Sequence, residues 1–131
     1  MSFTLEVATP ERLLLREQVG EAQIPALGGE IGPRPEHAPL IAELGVGVLR
    51  YVVGGQQKQL SVAGGVVEVL PDRVRVLADH AEHADEIGVQ RAKESLRRAN
   101  ERLGRPDLGL DIARALNAMK RAQARLKAAG Q

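Results

Sequence analysis

Cysteine is absent from this 131-residue chain, and its aromatic side chains are only Phe3 and Tyr51. Without thiols, the chain cannot form disulfides, thiolate zinc sites or cysteine nucleophiles. The scarcity of aromatic residues argues against nucleic-acid modules that stack bases on aromatic rings. Since 44% of the residues are hydrophobic, we expect a globular fold with an aliphatic core.

Long apolar runs are also missing. The longest run is only a few residues, whereas a helix that crosses a bilayer needs about 20, so we expect no direct insertion into a membrane. The first residues, MSFTLEVATPE, lack the basic start and apolar stretch of a signal peptide. We therefore expect no signal peptide.

Motifs of catalysis are missing as well. No phosphate-binding loop of the form G-x-x-x-x-G-K-[ST] occurs in the chain. Ser61 lies between Leu60 and Val62, without the glycines of a nucleophile elbow. We therefore predict a non-catalytic protein that requires no cofactor.

The net charge of +1 hides a division of charge along the chain. Residues 1–83 carry 11 acidic and 7 basic side chains, a balance of −4, whereas residues 84–131 carry 6 acidic and 11 basic ones, a balance of +5. Parts of opposite charge suggest different partners. We therefore predict an N-terminal domain of residues 1–83 and a C-terminal domain of residues 84–131.

Up to about Asp79 the chain consists of short segments rich in β-branched residues. Polar and apolar residues often alternate in them, as in RVRV at 73–76, which is typical of strands with one buried face. Turn signals separate the segments at 28–29, 54–55, 64–65 and 71–72. Many short strands with frequent turns predict a β-sandwich or a barrel.

From Ala84 onward the apolar residues recur at helical spacing. The first stripe consists of Val89, Ala92, Leu96, Ala99 and Leu103. The second consists of Ile112, Ala115, Met119, Ala122, Leu126 and Ala129. The break at 104–106 predicts an antiparallel two-helix hairpin, with Asp111 as the N-cap of the second helix. About half of this seam is alanine, which buries little area, so we expect the hairpin to need a second surface.

Two polar segments invite a functional interpretation. The glycine- and proline-rich segment 29–40 is either a rigid loop or a partner surface that exposes Glu30 and His37. His80 and His83 stand three residues apart near carboxylates, and on a shared helix face they could bind a metal. A solvated connector, with its acids at a helix N-terminus, is the alternative that we favour.

Four arginines lie at helical spacing in the C-terminal domain. Arg91 and Arg98 are seven residues apart in the first helix, and Arg121 and Arg125 are four apart in the second. They form a solvated basic face, a clamp for a polyphosphate, or a docking face for an acidic protein surface. The residues alone leave all three open.

Longer motifs resemble one protein family along essentially the whole chain. GEIG at 29–32 followed by PEHAPL at 35–40 resembles a signature of ATP synthase epsilon subunits. LSVAGGVVEV at 60–69 and RVRVLAD at 73–79 resemble the strands that follow in that family. Proline and arginine at 33–34 replace two residues that are commonly apolar in relatives.

The resemblance implies an α+β protein, in which an N-terminal antiparallel β-sandwich is followed by a C-terminal antiparallel two-helix hairpin. It implies a rotor subunit in the central stalk of a bacterial F-type ATP synthase, with the gamma subunit and the c-subunit ring as partners. Glu30 and His37 match family positions that face the ring. The complex would hold the subunit at the cytoplasmic face of the plasma membrane.

The family's hairpin either folds against the sandwich or extends into the alpha/beta catalytic head, where it inhibits ATP hydrolysis. The resemblance implies that a basic face meets acidic loops of the beta subunits there, steered by charge. That face consists of Arg114, Lys120, Arg121, Arg125 and Lys127.

ATP is a regulatory ligand of the folded hairpin in some relatives, through an Ile/Leu-Asp-x-x-Arg-Ala motif. Segment 87–92 matches this motif except at Gly88, which replaces the acid. The resemblance implies ATP contacts from Glu82, Ile87, Arg91, Ala92, Arg98, Arg121 and Arg125. An ATP-sensing module is therefore one alternative to the rotor role, and a basic-helix adaptor for nucleic acid is another.

Overall fold

A computed structural model describes residues 2–33, 38–105 and 111–131 of the chain. Within these ranges the fold has two parts, strands first and helices second, as the sequence predicts. The eight strands are β1 Phe3–Ala8, β2 Leu13–Val19, β3 Glu21–Ala26, β4 Gly29–Ile31, β5 Leu40–Glu43, β6 Val46–Val53, β7 Gln56–Val69 and β8 Arg73–His83. A 3-10 turn at Ala84–Glu86 then leads to helices α1 Val89–Leu103 and α2 Ile112–Ala128.

The strands form one eight-stranded sheet in the order β2-β1-β8-β7-β6-β3-β4, with β5 paired to β7. Its pairings are antiparallel except that of β1 with β8, which is parallel. The antiparallel prediction is therefore wrong for this one pair. Adjacent segments joined by tight turns must pair antiparallel. β1 and β8 lie far apart in the chain, so turn geometry does not constrain them.

A glycine pair in the middle of β7 lets this strand and β8 serve both halves of the sandwich. Before it, Leu60 and Val62 are buried, and after it Val67 and Val69 are buried. Side chains on a strand alternate between faces, so this change from even to odd positions means that the strand turns over. Gly64 and Gly65 make the turn with φ values of +71° and +124°, which residues with a Cβ rarely adopt.

The core between the two halves of the sandwich is aliphatic, as the composition predicts. Its fully buried side chains are Leu5, Val7, Val19, Ile24, Leu49, Leu60, Val62, Val67, Val69, Val74 and Val76. Phe3 and Tyr51 also belong to this cluster, each 4% exposed. Burial raises the pKa of the Tyr51 phenol because the anion would lose its hydration. Helix residues are absent from this cluster, so within the described chain the sandwich has its own core.

Strand β8 continues to His83, four residues beyond the predicted end near Asp79. Its last part pairs with the beginning of β7, from Ala63 opposite His80 to Leu60 opposite His83. The polar composition of this segment favours a connector, but the backbone ladder with β7 overrides the local signal. The strand therefore places His80 and Glu82 on the sheet.

The two helices form the predicted hairpin, and Asp111 caps α2 by accepting a hydrogen bond from the Arg114 N–H at 3.0 Å. The buried helix residues are alanines: Ala92, Ala99, Ala115, Ala122, Ala124 and Ala128. The first four lie on the predicted stripes. Ala124 and Ala128 are a second buried face of α2, which packs on β6 and β7. The hairpin is therefore folded against the sandwich through α2.

No helix among the described residues is long and apolar enough to cross a membrane. The composition of α1 and α2 fits this finding, because both helices carry charged residues along their length. Their apolar residues serve the hairpin seam and the contact with the sheet.

We predict that Gly65→Ala destabilises the protein by about 3 kcal/mol or more. A Cβ at this position would lie 2.0 Å from the Leu77 carbonyl oxygen, and φ is +124°. Urea denaturation measures the loss in the free energy of unfolding. Gly20→Ala is the matched control, because its added Cβ has no atom within 4 Å. Equal stability of the two variants would contradict the role of Gly65.

Candidate functional site

Four arginines converge on a groove between the hairpin and strand β8. On β8, His80 and Glu82 are two residues apart and therefore face the same side. On each helix, arginines four residues apart lie on one face, and these are Arg98 and Arg102 on α1, and Arg121 and Arg125 on α2. The groove has a volume of about 560 Å³ and is lined by side chains of these three elements.

Small side chains between the helices leave room for this groove. Ala99 and Ala122, each 2% exposed, contribute to its lining, together with Ala118 and Ser95. Larger side chains here would fill the space between α1 and α2. The alanine seam that makes the hairpin weakly packed therefore also opens the groove.

Glu82 and Arg125 form the main ion pair of the groove. The Arg125 Nε donates to Glu82 Oε1 at 2.6 Å, and its Nη2 donates to Oε2 at 3.4 Å. The side chains are 33% and 24% exposed, so this pair is partly shielded from solvent. It joins α2 to β8 across 43 residues of sequence.

The remaining charge of the groove is positive. Glu82 is the carboxylate in its lining, against four guanidinium groups. Arg98 donates from Nη2 to the Ser95 hydroxyl at 3.4 Å, a contact that leaves its charge uncompensated. Guanidinium groups bind phosphate and carboxylate oxygens through paired N–H donors. The chemistry of the groove therefore suits a polyphosphate or another multiply charged anion.

The structure brings together four of the seven predicted ATP contacts. Glu82, Arg98, Arg121 and Arg125 line the groove. The other three lie elsewhere. Ile87 is 8% exposed and packs with Val48 and Ala128, Ala92 is buried in the helix seam, and Arg91 is exposed in the first turn of α1.

Sequence reasoning missed Arg102 and gave His80 a different role. Arg102 is one helical turn beyond Arg98, so the same i, i+4 spacing that selected the pair in α2 could have identified it. His80 lines the groove because β8 continues past Asp79. This extension had no clear signal in the sequence.

The two histidines do not share a helix face, because both lie on β8. His80 lines the groove, whereas the His83 ring nitrogen Nε2 lies 2.8 Å from the Leu14 carbonyl oxygen. Among the described residues no group of three or more histidine, aspartate or glutamate side chains could hold a metal ion. The interpretation of this segment as a shared helix face is wrong.

The predicted basic face is divided in the folded hairpin. Arg121 and Arg125 lie in the groove, whereas Lys120 and Lys127 line a second cleft of about 320 Å³ on the other side of α2. Arg114 is exposed in the first turn of α2. These five residues can therefore act as one surface only after the hairpin leaves the sheet.

Of the two predicted contacts with the c-ring, Glu30 lies within the described residues and His37 does not. Glu30 lies on β4 with its side chain 55% exposed, and its Oε1 is 3.6 Å from Arg50 Nη1. Glu30 is therefore accessible to a partner on the side of the sandwich that also holds the second cleft.

Comparison with known proteins assigns both parts of the chain. The model of the ATP synthase, Delta/Epsilon chain, beta-sandwich domain matches residues 2–84. The model of the ATP synthase, Delta/Epsilon chain, long alpha-helix domain matches residues 85–130. This chain belongs to the ATP synthase delta/epsilon family. The resemblance drawn from the sequence motifs is confirmed.

Curated members of the delta/epsilon family match the chain over nearly its whole length. The ATP synthase epsilon chain of Solibacter usitatus is 57% identical over 128 residues, which are 98% of this chain and 96% of that protein. The epsilon chain of Syntrophomonas wolfei is 44% identical and covers 97% of this chain and 93% of its own length. That of Symbiobacterium thermophilum is 45% identical, with coverages of 98% and 93%.

Solved structures share the fold of this family member. A chain of the Euglena gracilis mitochondrial ATP synthase superposes with a TM-score of 0.84 at 23% identity, covering 99% of this chain and 82% of that one. A chain of the Tetrahymena thermophila mitochondrial ATP synthase has a TM-score of 0.62 at 12% identity, with coverages of 98% and 97%. The sandwich with a two-helix hairpin is therefore confirmed as the fold.

We predict that Arg125→Ala weakens the docking of the helical hairpin on the sandwich by about 1–2 kcal/mol, because Glu82 loses its charged partner. Hydrogen exchange of the α2 amides should accelerate, while that of β1 and β8 should not. Arg97→Ala is the matched control. It removes ion pairs with Glu94 and Glu101 on the exposed surface of α1 and should change little. Equal exchange of α2 in both variants would contradict the role of this pair.

Proposed function

We propose that this chain is a non-catalytic rotor subunit in the central stalk of an F-type ATP synthase, where it couples the c-ring to gamma during proton-driven ATP synthesis. The observation that carries the proposal is the family match to both parts, at residues 2–84 and 85–130. The relative from Solibacter usitatus, 57% identical and named an ATP synthase epsilon chain, supports the specific subunit.

The sandwich is the part that binds gamma and the c-ring in this proposal. Its independent aliphatic core makes it a rigid body that can transmit torque. The exposed Glu30 on β4 supports a ring contact on that side, and His37 is assigned to the same contact by resemblance. The complex would hold the subunit at the cytoplasmic face of the bacterial plasma membrane.

The hairpin is the regulatory part and inhibits ATP hydrolysis when it extends into the alpha/beta head. Alanines are the buried residues through which it packs, and each contributes about 1 kcal/mol or less. The Glu82–Arg125 ion pair adds a contact that an acidic partner surface can replace. Release also reunites Arg121 and Arg125 with Lys120 and Lys127 as one basic face.

ATP sensing is a second candidate function, and the arginine groove favours it. Four guanidinium groups converge on about 560 Å³ between the helices and β8. A nucleotide bound there would hold α1, α2 and the sandwich together and would oppose release. Gly88, which replaces the acid of the family motif, does not line the groove.

Deleting residues 89–131 tests the rotor and regulatory roles together. With the sandwich intact, the shortened subunit should still bind purified gamma and support coupled ATP synthesis in a reconstituted complex. Latent ATP hydrolysis should rise severalfold relative to the complex with the full chain. Unchanged hydrolysis would remove the inhibitory role, and failure of the full chain to bind a cognate gamma would overturn the rotor assignment.

Calorimetry of the isolated full chain with ATP tests the second candidate. We expect saturable binding, weakened about tenfold or more by Arg98→Gln or Arg121→Gln, since a hydrogen bond to a charged group contributes about 1.5 kcal/mol or more. Arg97→Gln, on the exposed surface of α1, is the control and should bind as the unmodified chain does. An absence of heat at millimolar ATP would exclude ATP sensing.

A further inference from the structure

The junction between the sandwich and the hairpin is tied to the turn after β1 by an ion pair. Arg12 donates from Nη1 to Glu86 Oε2 and from Nη2 to Glu86 Oε1, both at 2.9 Å. The partners are 74 residues apart in sequence. Two parallel hydrogen bonds between a guanidinium and a carboxylate restrict both position and orientation. Glu86 is therefore held against the sandwich.

His83 adds two contacts to the same place. Its backbone N–H donates to Glu86 Oε1 at 3.1 Å, and its ring Nε2 lies 2.8 Å from the Leu14 carbonyl oxygen. Since a carbonyl oxygen only accepts, Nε2 carries the proton. The Arg12 hydrogen bonds, followed by that from the His83 backbone, lower the pKa of Glu86 from 4.5 to about 2.

Ile87 closes this set of contacts with an apolar one. It is 8% exposed and belongs to a small cluster with Val48 of β6 and Ala128 of α2. Val48 is part of the sheet and Ala128 is part of α2, so this cluster brings Ile87 together with both. We call Arg12, His83, Glu86 and Ile87 the junction anchor.

Gly88 is the next residue, and it is exposed. It precedes α1 in an extended conformation, with φ −77° and ψ 97°, and without a side-chain cap. A Cβ added there would meet only the Arg91 side chain, at 3.7 Å or more. Its carbonyl accepts the hydrogen bond from the Ala92 N–H at 2.9 Å, so helical structure begins immediately after it.

The hairpin is attached to the sandwich through different groups. Ala124 and Ala128 pack on the sheet, and Arg125 pairs with Glu82. Breaking these contacts leaves the pair of Arg12 with Glu86 and the His83 contacts intact, because no residue of α1 or α2 takes part in them. The polar contacts of the anchor can therefore persist when those of the hairpin are lost.

We propose that the junction anchor keeps residues 84–87 on the sandwich when the hairpin is released, and that Gly88 is the pivot about which the helices turn. The moving unit begins at Val89, and the connector is a fixed part of the rotor body. This inference rests on the proposed release of the hairpin and adds the position at which the chain bends.

The anchor itself is tested in the full chain by NMR titration of the Glu86 carboxyl group. Arg12→Gln should raise its pKa from about 2 towards 4.5 and should increase the backbone mobility of residues 84–87. Arg16→Gln is the matched control. It removes a 3.3 Å ion pair with Glu6 on the neighbouring strand, and Glu6 keeps Arg75 as a partner.

Reversal of the charges provides a rescue. The combination of Arg12→Glu with Glu86→Arg should restore low mobility at residues 84–87, whereas Arg12→Glu alone should not. If Arg12→Gln left the Glu86 pKa at about 2 and the junction rigid, the anchor would be refuted.

The pivot is tested by locking the anchor before assembly. The chain has no cysteine, so Arg12→Cys with Glu86→Cys can be bridged selectively by a short bismaleimide in the isolated subunit. With the pivot at Gly88, the bridged subunit should inhibit ATP hydrolysis as strongly as the unbridged double variant. Loss of inhibition only on bridging would place the bend before residue 86 and overturn the proposal.

The outcome also separates the pivot from the function on which it rests. If neither the bridged nor the unbridged form inhibited hydrolysis, while the unmodified chain did, the anchor residues would themselves be required in the extended state, which contradicts a passive anchor. If the unmodified chain did not inhibit either, hairpin release would fail, and the pivot would fail with it.

Discussion

The antiparallel ladder between β7 and β8 is the interaction on which the rest of the structure depends. The beginning of β7 pairs with the end of β8 in the layer on which the hairpin packs. The end of β7 pairs with the beginning of β8 in the layer that also contains β1 and β5. The change of face at Gly64 and Gly65 lets one pair of strands enter both layers of the core. Without it, Glu82 could not face the helices while Val76 stays buried.

The stabilities of the two parts differ because their buried side chains differ. Leucine, valine and isoleucine fill the sandwich, whereas alanines occupy the buried positions of the helices. Burial of a large aliphatic side chain contributes about 1.5–3 kcal/mol, several times the contribution of an alanine. Because of this difference in buried side chains, we expect the sandwich to be rigid and the hairpin to be docked on it more weakly.

The charges of the groove are only partly compensated in the folded hairpin. In the folded state Glu82 compensates one of the four arginines of the groove. The remaining positive charge is concentrated in the groove, and the lysines of α2 face the other cleft. An acidic protein surface would compete for the same guanidinium groups, because each can form only a limited number of N–H contacts. In the function proposed above, the groove and the released basic face are therefore alternative uses of Arg121 and Arg125.

Local patterns in the sequence determined the strand and helix content, the hairpin seam and the Asp111 cap, because these depend on periodicity and on contacts a few residues apart. Longer motifs determined the family. Only the tertiary structure decided the parallel pairing of β1 with β8, the extension of β8 to His83, the second buried face at Ala124 and Ala128, and the pair of Arg12 with Glu86. These features join segments far apart in the chain. A contact across 74 residues leaves no periodic trace in either segment, so it emerges only when the sheet brings them together.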